Sequence, residues 1–375
     1  MIKICVVTAA RSEYGILKWL IKDLSHSNNF EVQLLVTGGH LLNKQGCTIN
    51  EIVSDGLEIT SVIDCNLDVS TKGNIAKSMG RLAEKFAEAF EKLTPDYLLV
   101  LGDRYELLPI CNTAFIMRIP IIHISGGDVT SGAIDDGVRN AITMLADYHF
   151  PGPKSSADNI IRMRNDSSNV WAVGELGLDA FNREKLLTRK EIAELFNLNE
   201  DMHWGLMTYH PETTQSLEYN LNAVNACLEE IIQLKDYQFI VTYANADFGG
   251  NLINKILDES SSDNVVVVPS LGHFRYLSFM KQVDFIIGNS SSGIVEAPFL
   301  KIPVINIGNR QNGRHLCDNI IQSSACKAEI HSSVKKAIEL DPSSFKDCDY
   351  WGDGFSTEKI VNILESEIVG RNNEH

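Results

Sequence analysis

Short runs of β-branched and other apolar residues recur along the chain, at residues 2–7, 32–36, 97–101 and 120–124. They resume at 206–209, 239–242, 265–268, 285–287 and 304–307. Runs of this length, mostly apolar and without strict alternation, predict strands buried on both faces. Longer segments of helical period lie between them. In residues 75–93, Leu82, Phe86, Ala89, Phe90 and Leu93 fall three or four positions apart, and residues 217–234 repeat the pattern. This strand–helix alternation predicts an α/β fold of open, doubly wound parallel sheets covered by helices on both sides. The strand rhythm weakens between about Gly174 and Glu200, where LTRKEIAELFNLNE is polar and helical. That break predicts a domain of residues 1–180 and another of residues 181–355, facing each other across a cleft. A last helix over 356–370 is expected to return to the first domain. No internal repeat is visible.

A length of 375 residues suits two domains of that size. Lysine and arginine total 33 against 49 acidic residues, a net charge of −16 that argues against broad binding to nucleic acid or to an anionic membrane surface. No apolar run reaches the roughly 20 residues of a membrane span. The opening apolar run is shorter than a signal peptide requires, so a cytoplasmic location is expected. The eight cysteines include no CxxC pair and the ten histidines no HExxH. They read as reduced buried thiols and scattered histidines, with neither a disulfide framework nor a metal site expected.

Ligands of doubly wound sheets bind beyond the carboxyl ends of the strands, so the residues there carry the candidate chemistry. The first strand runs into Arg11, Ser12 and Glu13 at a helix start, where a guanidinium suits a phosphate and a serine equally suits a cap. No GxGxxG follows, so a dinucleotide cofactor is not indicated. The strand ending at Leu101 leads into Asp103, Arg104 and Glu106, and the next leads into Gly126, Gly127, Asp128, Asp135 and Asp136. Each acidic residue alone reads as a helix cap, but clustered carboxylates whose pKa values are pushed apart can divide into acid and base. In the second half, His210 precedes a proline at a strand end and can donate to a phosphate or move a proton. Asn245 follows the next strand. The turn Gly288-Asn289-Ser290-Ser291-Ser292-Gly293 lets backbone amides and hydroxyls approach a diphosphate, although it lacks the Walker lysine and also reads as a serine-capped turn. Glu296 can accept from a ribose diol, and Arg310 and Arg314 bring two guanidiniums to the following strand end.

The ordered series RSEYG, GDRYE, HISGGDVTSGAIDD, HPETT, NAD, GNSSSGIVE, PVINIGNRQNGR and WGDG resembles the hydrolysing UDP-N-acetylglucosamine 2-epimerases of sialic-acid-type sugar biosynthesis, nearly end to end. The resemblance implies two Rossmann-like domains in the arrangement of many nucleotide-sugar glycosyltransferases, GT-B-like. It implies a UDP-sugar substrate, no cofactor and no metal, and a homo-oligomer, dimer or tetramer. UDP would be bound by Arg11, Arg104, His210, Asn245, Ser290, Ser291, Glu296 and Arg310. The catalytic candidates would be Asp103, Asp128, Asp135 and His210. The implied reaction takes UDP-GlcNAc to ManNAc and UDP, by anti elimination to 2-acetamidoglucal followed by hydration. Alternatives are the same chemistry on UDP-2,4-diacetamido-2,4,6-trideoxyglucose, toward legionaminic-type acids, and a glycosyltransferase of the same fold. Ser125 stands where some relatives carry glutamate or histidine, and Asn140 where many carry histidine, which leaves open which carboxylate is the base.

Overall fold

The computed structural model describes residues 1–41, 49–129, 134–245 and 249–370. The chain divides into two compact units. One comprises Met1–Asn182 with the segment from Gly352 onward, and the other comprises Arg183–Trp351.

In the first unit six parallel strands form one sheet: β1 Ile2–Thr8, β2 Phe30–Thr37, β3 Ser61–Ile63, β4 Tyr97–Leu101, β5 Ile121–Ile124 and β6 Tyr148–Phe150, in the order β3-β2-β1-β4-β5-β6. The central β1 is paired on both sides, with Val6 opposite Leu34 of β2 and Leu99 of β4. Its side chains alternate between two cores. Ile4 and Val6 pack with Leu17, Leu20 and Ile21 of the helix Arg11–His26. Cys5 and Val7 pack on the other face with Leu82, Phe86 and Phe90 of the helix Lys72–Leu93. A strand covered on both faces needs few polar positions, which is why β4 reads as an unbroken apolar run and β1 as one from Ile4 to Val7.

The helix Ser356–Leu364, extended by a π-helical turn Glu365–Val369, joins this first unit through Ile360, Leu364 and Ile368. Its start is fixed by a residue far away in sequence. The buried carboxylate of Asp179 accepts from the amides of Ser356 at 2.9 Å and Thr357 at 2.6 Å, two of the first-turn donors that have no partner within the helix.

The second unit repeats the winding with β7 His203–Thr208, β8 Tyr237–Thr242, β9 Val265–Val268, β10 Phe285–Gly288, β11 Val304–Ile307 and β12 Ile320–Ser323, in the order β12-β11-β10-β7-β8-β9. Counted from its own first strand this is the order of the first sheet. The polar stretch before it forms the helix Arg189–Phe196, opened by a capping box in which Thr188 and Glu191 exchange hydrogen bonds. Three strands absent from the sequence reading, β3, β6 and β12, are all sheet edges of three or four residues. No helix of the described residues is long and apolar enough to cross a membrane.

The first helix opens without a capping side chain, because Ala10 holds the N-cap position. Glu13 compensates from inside the helix. Its carboxylate accepts from the amides of Ala9 at 2.6 Å and Ala10 at 3.0 Å, while its Oε1 is buried with no hydrogen-bond partner. Burial pushes its pKa up from 4.5 to about 8, despite the opposing pull of the two amides and Arg104. Between those values the folded chain keeps a proton that the unfolded chain has lost. The resulting stability is fully present below about pH 4.5 and is lost as pH rises toward 8. Glu13→Gln mimics the protonated carboxyl and removes that dependence. Thermal denaturation should therefore show the wild type losing on the order of 3 kcal/mol more than the variant between pH 5 and pH 8. Parallel curves for the two proteins would contradict this reading of Glu13.

Candidate active site

In the first unit the turns after β4 and β5 are tied together by one buried cation. Arg139, on the helix Ile134–Leu145, is 4% exposed and lies under both turns. A guanidinium taken out of water costs several kcal/mol unless it is paired and fully hydrogen-bonded. Arg139 meets that requirement with an ion pair to Asp103, another to Asp136 at 3.0 Å, and a bond to the carbonyl of Asp128 at 2.8 Å. One side chain thus sets the positions of Asp103 beyond β4, Asp128 beyond β5 and the acidic first turn of its own helix.

Asp135 belongs to that turn. Burial, and then the charge of Asp103, push its pKa above the usual carboxylate range, with Arg139 and Arg104 pulling the other way. Asp135 therefore holds its proton more firmly than an ordinary carboxyl, as a group that donates a proton in acid–base chemistry must.

The floor beneath these groups is neutral. His123 of β5 donates from Nε2 to the carbonyl of Gly102 at 2.8 Å, so its Nδ1 accepts from the Thr143 hydroxyl at 3.3 Å. Burial lowers its pKa to about 4. Gly127 has φ +78°, and a Cβ there would lie 2.2 Å from the Ser156 carbonyl, so only glycine fits this turn. Ser125 also takes the left-handed conformation, with its hydroxyl 3.5 Å from Glu175 Oε2. Residues 130–133 of the same motif lie outside the described residues.

The two arginines of this unit expected at UDP are already paired. Arg11 makes a half-exposed ion pair with Glu51 at 2.9 Å. Arg104 holds the fully buried Glu106 through two bonds, at 2.6 and 3.2 Å, and lies over the Tyr105 ring. Arg104 is close enough to Asp135 to affect its titration, whereas the contacts of Arg11 lead to the helix Ile49–Ser54.

In the second unit Asn289 is the hub. Its side chain accepts from the His210 amide at 2.7 Å and donates to the His210 carbonyl at 2.8 Å. Its own carbonyl accepts from Arg310 at 3.2 Å and Gln311 at 2.8 Å. The turns after β7, β10 and β11 are thereby locked to one another. Gly288 allows this approach, since a Cβ at its φ of +139° would lie 2.0 Å from the Thr208 carbonyl.

The Asn245 amide donates to His210 Nδ1 at 3.1 Å. That bond makes Nδ1 the acceptor, so in the neutral ring Nε2 carries the proton and is the donor. Ser290 lies 3.0 Å from the Ser292 hydroxyl, which also pairs with Tyr276 Oη at 2.6 Å, at the start of the helix Ser292–Phe299. Glu296, half-buried on that helix, has its pKa raised by burial and pulled back by Arg314. Buried Glu212 accepts from the Asn309 amide at 3.2 Å and supports the turn that carries Arg310. Asp247, in the motif with Asn245, lies outside the described residues.

Arg139 and Tyr276 were not singled out from the sequence, and Asn289 and Glu212 stood there only as members of motifs, without a role. Arg139 and Asp136, three apart on one helix, look like a solvated surface pair until burial is known.

The pattern of the UDP-N-acetylglucosamine 2-epimerase family matches residues 22–365. The chain is 35% identical to the GDP/UDP-N,N'-diacetylbacillosamine 2-epimerase (hydrolyzing) of Campylobacter jejuni, over 92% of this chain and 88% of that protein. It is 32% identical to the UDP-N,N'-diacetylbacillosamine 2-epimerase (hydrolyzing) of Legionella pneumophila, over 97% and 96%. The fold is shared with UDP-GlcNAc 2-epimerase from Neisseria meningitidis, solved bound to UDP-GlcNAc, at a TM-score of 0.81 and 19% identity over 97% and 99% of the two chains. A match that runs through both sheets, with relatives above 30% identity along almost the whole length, makes this chain a member of the UDP-N-acetylglucosamine 2-epimerase family.

Proposed function

We propose that the protein is a hydrolysing 2-epimerase of UDP-2,4-diacetamido-2,4,6-trideoxyglucose, releasing UDP and the 2-epimeric free sugar. The observation that carries the reaction is the carboxylate pair at Arg139, Asp103 as its counter-ion and Asp135 with a raised pKa. Two relatives support the choice of sugar. At 35% and 32% identity they bear the diacetylbacillosamine name, whereas the UDP-N-acetylglucosamine 2-epimerase of Neisseria meningitidis is 26% identical. Ser125, small and neutral, leaves more room for a second acetamido group than the glutamate or histidine found there in some relatives.

UDP is held by the second unit in this reading. His210 donates from Nε2 to a phosphate oxygen, Asn245 keeps that tautomer, and the hydroxyls of Ser290 and Ser291, at the start of the helix Ser292–Phe299, receive the diphosphate. Glu296 accepts from the ribose diol, and Arg310 offsets the charge that grows as the C1–O bond breaks. Arg104 is the first unit's candidate for a phosphate, and Arg11 could act as one only after leaving Glu51. One carboxylate of Asp103 and Asp128 takes the proton from C2 as UDP departs with the C1–O electron pair, giving the glycal. Asp135 returns a proton to C2 from the opposite face while water adds at C1, giving the inverted free sugar. Neither step moves a hydride.

The reading is tested by incubating the purified protein, without any acceptor, with UDP-2,4-diacetamido-2,4,6-trideoxyglucose and with UDP-GlcNAc, and weighing the released sugars by mass spectrometry. Free UDP and the 2-epimeric diacetamido sugar should form, with kcat/KM at least about a hundredfold above that for UDP-GlcNAc. Equal or faster turnover of UDP-GlcNAc would return the substrate to the simpler sugar, and dependence on an acceptor would point to a transferase. Asp103→Asn and Asp135→Asn should each lower kcat by at least about a hundredfold and leave the Kd for UDP within a few fold. Turnover that survives either change would remove that residue from the proton transfers.

A further inference from the structure

The loop between β11 and β12 carries His315 and Cys317, whose spacing alone suggests nothing. The fold brings Asp347 to them from the segment that follows the helix Lys327–Glu339. A ring nitrogen of His315, Sγ of Cys317 and a carboxylate oxygen of Asp347 all lie within 4.8 Å of one another. We propose that these three residues bind one divalent cation of borderline softness, with Zn²⁺ preferred.

The donor set argues for that class of ion. A thiolate, an imidazole and a carboxylate together suit zinc, whereas magnesium and calcium take oxygen ligands. The surroundings already orient the donors as a supporting shell does. The Asp318 amide donates to Asp347 Oδ1 at 2.8 Å, which leaves Oδ2 toward His315 Nε2 at 2.9 Å. The His315 ring is stacked on Tyr350 with centroids 3.8 Å apart and planes 22° apart, so the ring cannot swing freely. Cys317 is buried, while His315 and Asp347 are each about one-third exposed, so solvent reaches the site and can supply a fourth ligand. Binding takes the proton from the thiol and moves the imidazole N–H to Nδ1, and one proton is released per ion.

All three ligands belong to the second unit. Arg314 precedes His315 directly and donates to Gln311 at 3.2 Å, which in turn bonds Asn289. The cation would therefore clasp the loop carrying Arg310 and Arg314 to the segment around Asp347.

Cobalt(II) reports the site directly, because thiolate coordination adds a charge-transfer absorption. Full-length protein stripped with a chelator and titrated with Co²⁺ should bind one ion per chain with that absorption, and Zn²⁺ should displace it. Cys317→Ser should abolish the absorption, and His315→Ala, at an exposed position, should weaken binding at least about tenfold. Cys326→Ser, at an exposed thiol elsewhere in the unit, should change neither. Zn²⁺ at about 100 times its Kd should raise Tm by about 5 °C in the wild type and not in His315→Ala. An absorption that is absent, or that survives Cys317→Ser, would overturn the proposal, as would an equal Tm rise in wild type and His315→Ala. The cluster would then be a His315–Asp347 hydrogen bond beside a buried thiol.

Discussion

Parallel pairing is the constraint from which the rest of this protein follows. Every strand pair in both sheets is parallel, so each connection must cross back over the sheet and all six strands of a sheet end at the same edge. Residues distant in sequence become neighbours there. Asp103 beyond β4 and Asp128 beyond β5 follow adjacent strands, as do His210 beyond β7, Ser290 beyond β10 and Arg310 beyond β11. Each edge then needs a tie, because turns of this kind carry polar groups that cannot be left unpaired. Arg139 is that tie in one unit and Asn289 in the other.

The central strands were legible because burial on both faces leaves them few polar positions. Val304–Ile307 and Val265–Val268 were read with the bounds the structure shows. The strands β3, β6 and β12 were not, since an edge strand is paired on one side and can be as short and mixed as Ser61–Ile63 or Ile320–Ser323. The sheets share a winding order that no sequence repeat reveals, because the order depends on where apolar runs fall and not on which residues fill them. The helix Lys72–Leu93 begins three residues before its apolar stripe, at a start set by the Thr71 hydroxyl and not by hydrophobic period.

At the candidate site the residue types were legible and their pairing was not. A carboxylate after a strand end is visible in any such sequence. That Asp103 answers a buried arginine, or that Arg11 is engaged by Glu51, depends on burial and on contacts between distant segments. The His210 tautomer rests on a single backbone amide, that of Asn245. In the function proposed above, a chain of net charge −16 holds a diphosphate through local donors: one imidazole, two serines at a helix start and an arginine fixed through Asn289.

The central claim is that the hydrogen at C2 of the sugar is removed and replaced as a proton. The most direct measurement is turnover of UDP-2,4-diacetamido-2,4,6-trideoxyglucose in heavy water, with mass spectrometry and proton NMR of the released sugar. Elimination followed by hydration predicts one deuterium at C2 of every released molecule, with that centre inverted. An inverted sugar that keeps its original hydrogen at C2 would contradict the account.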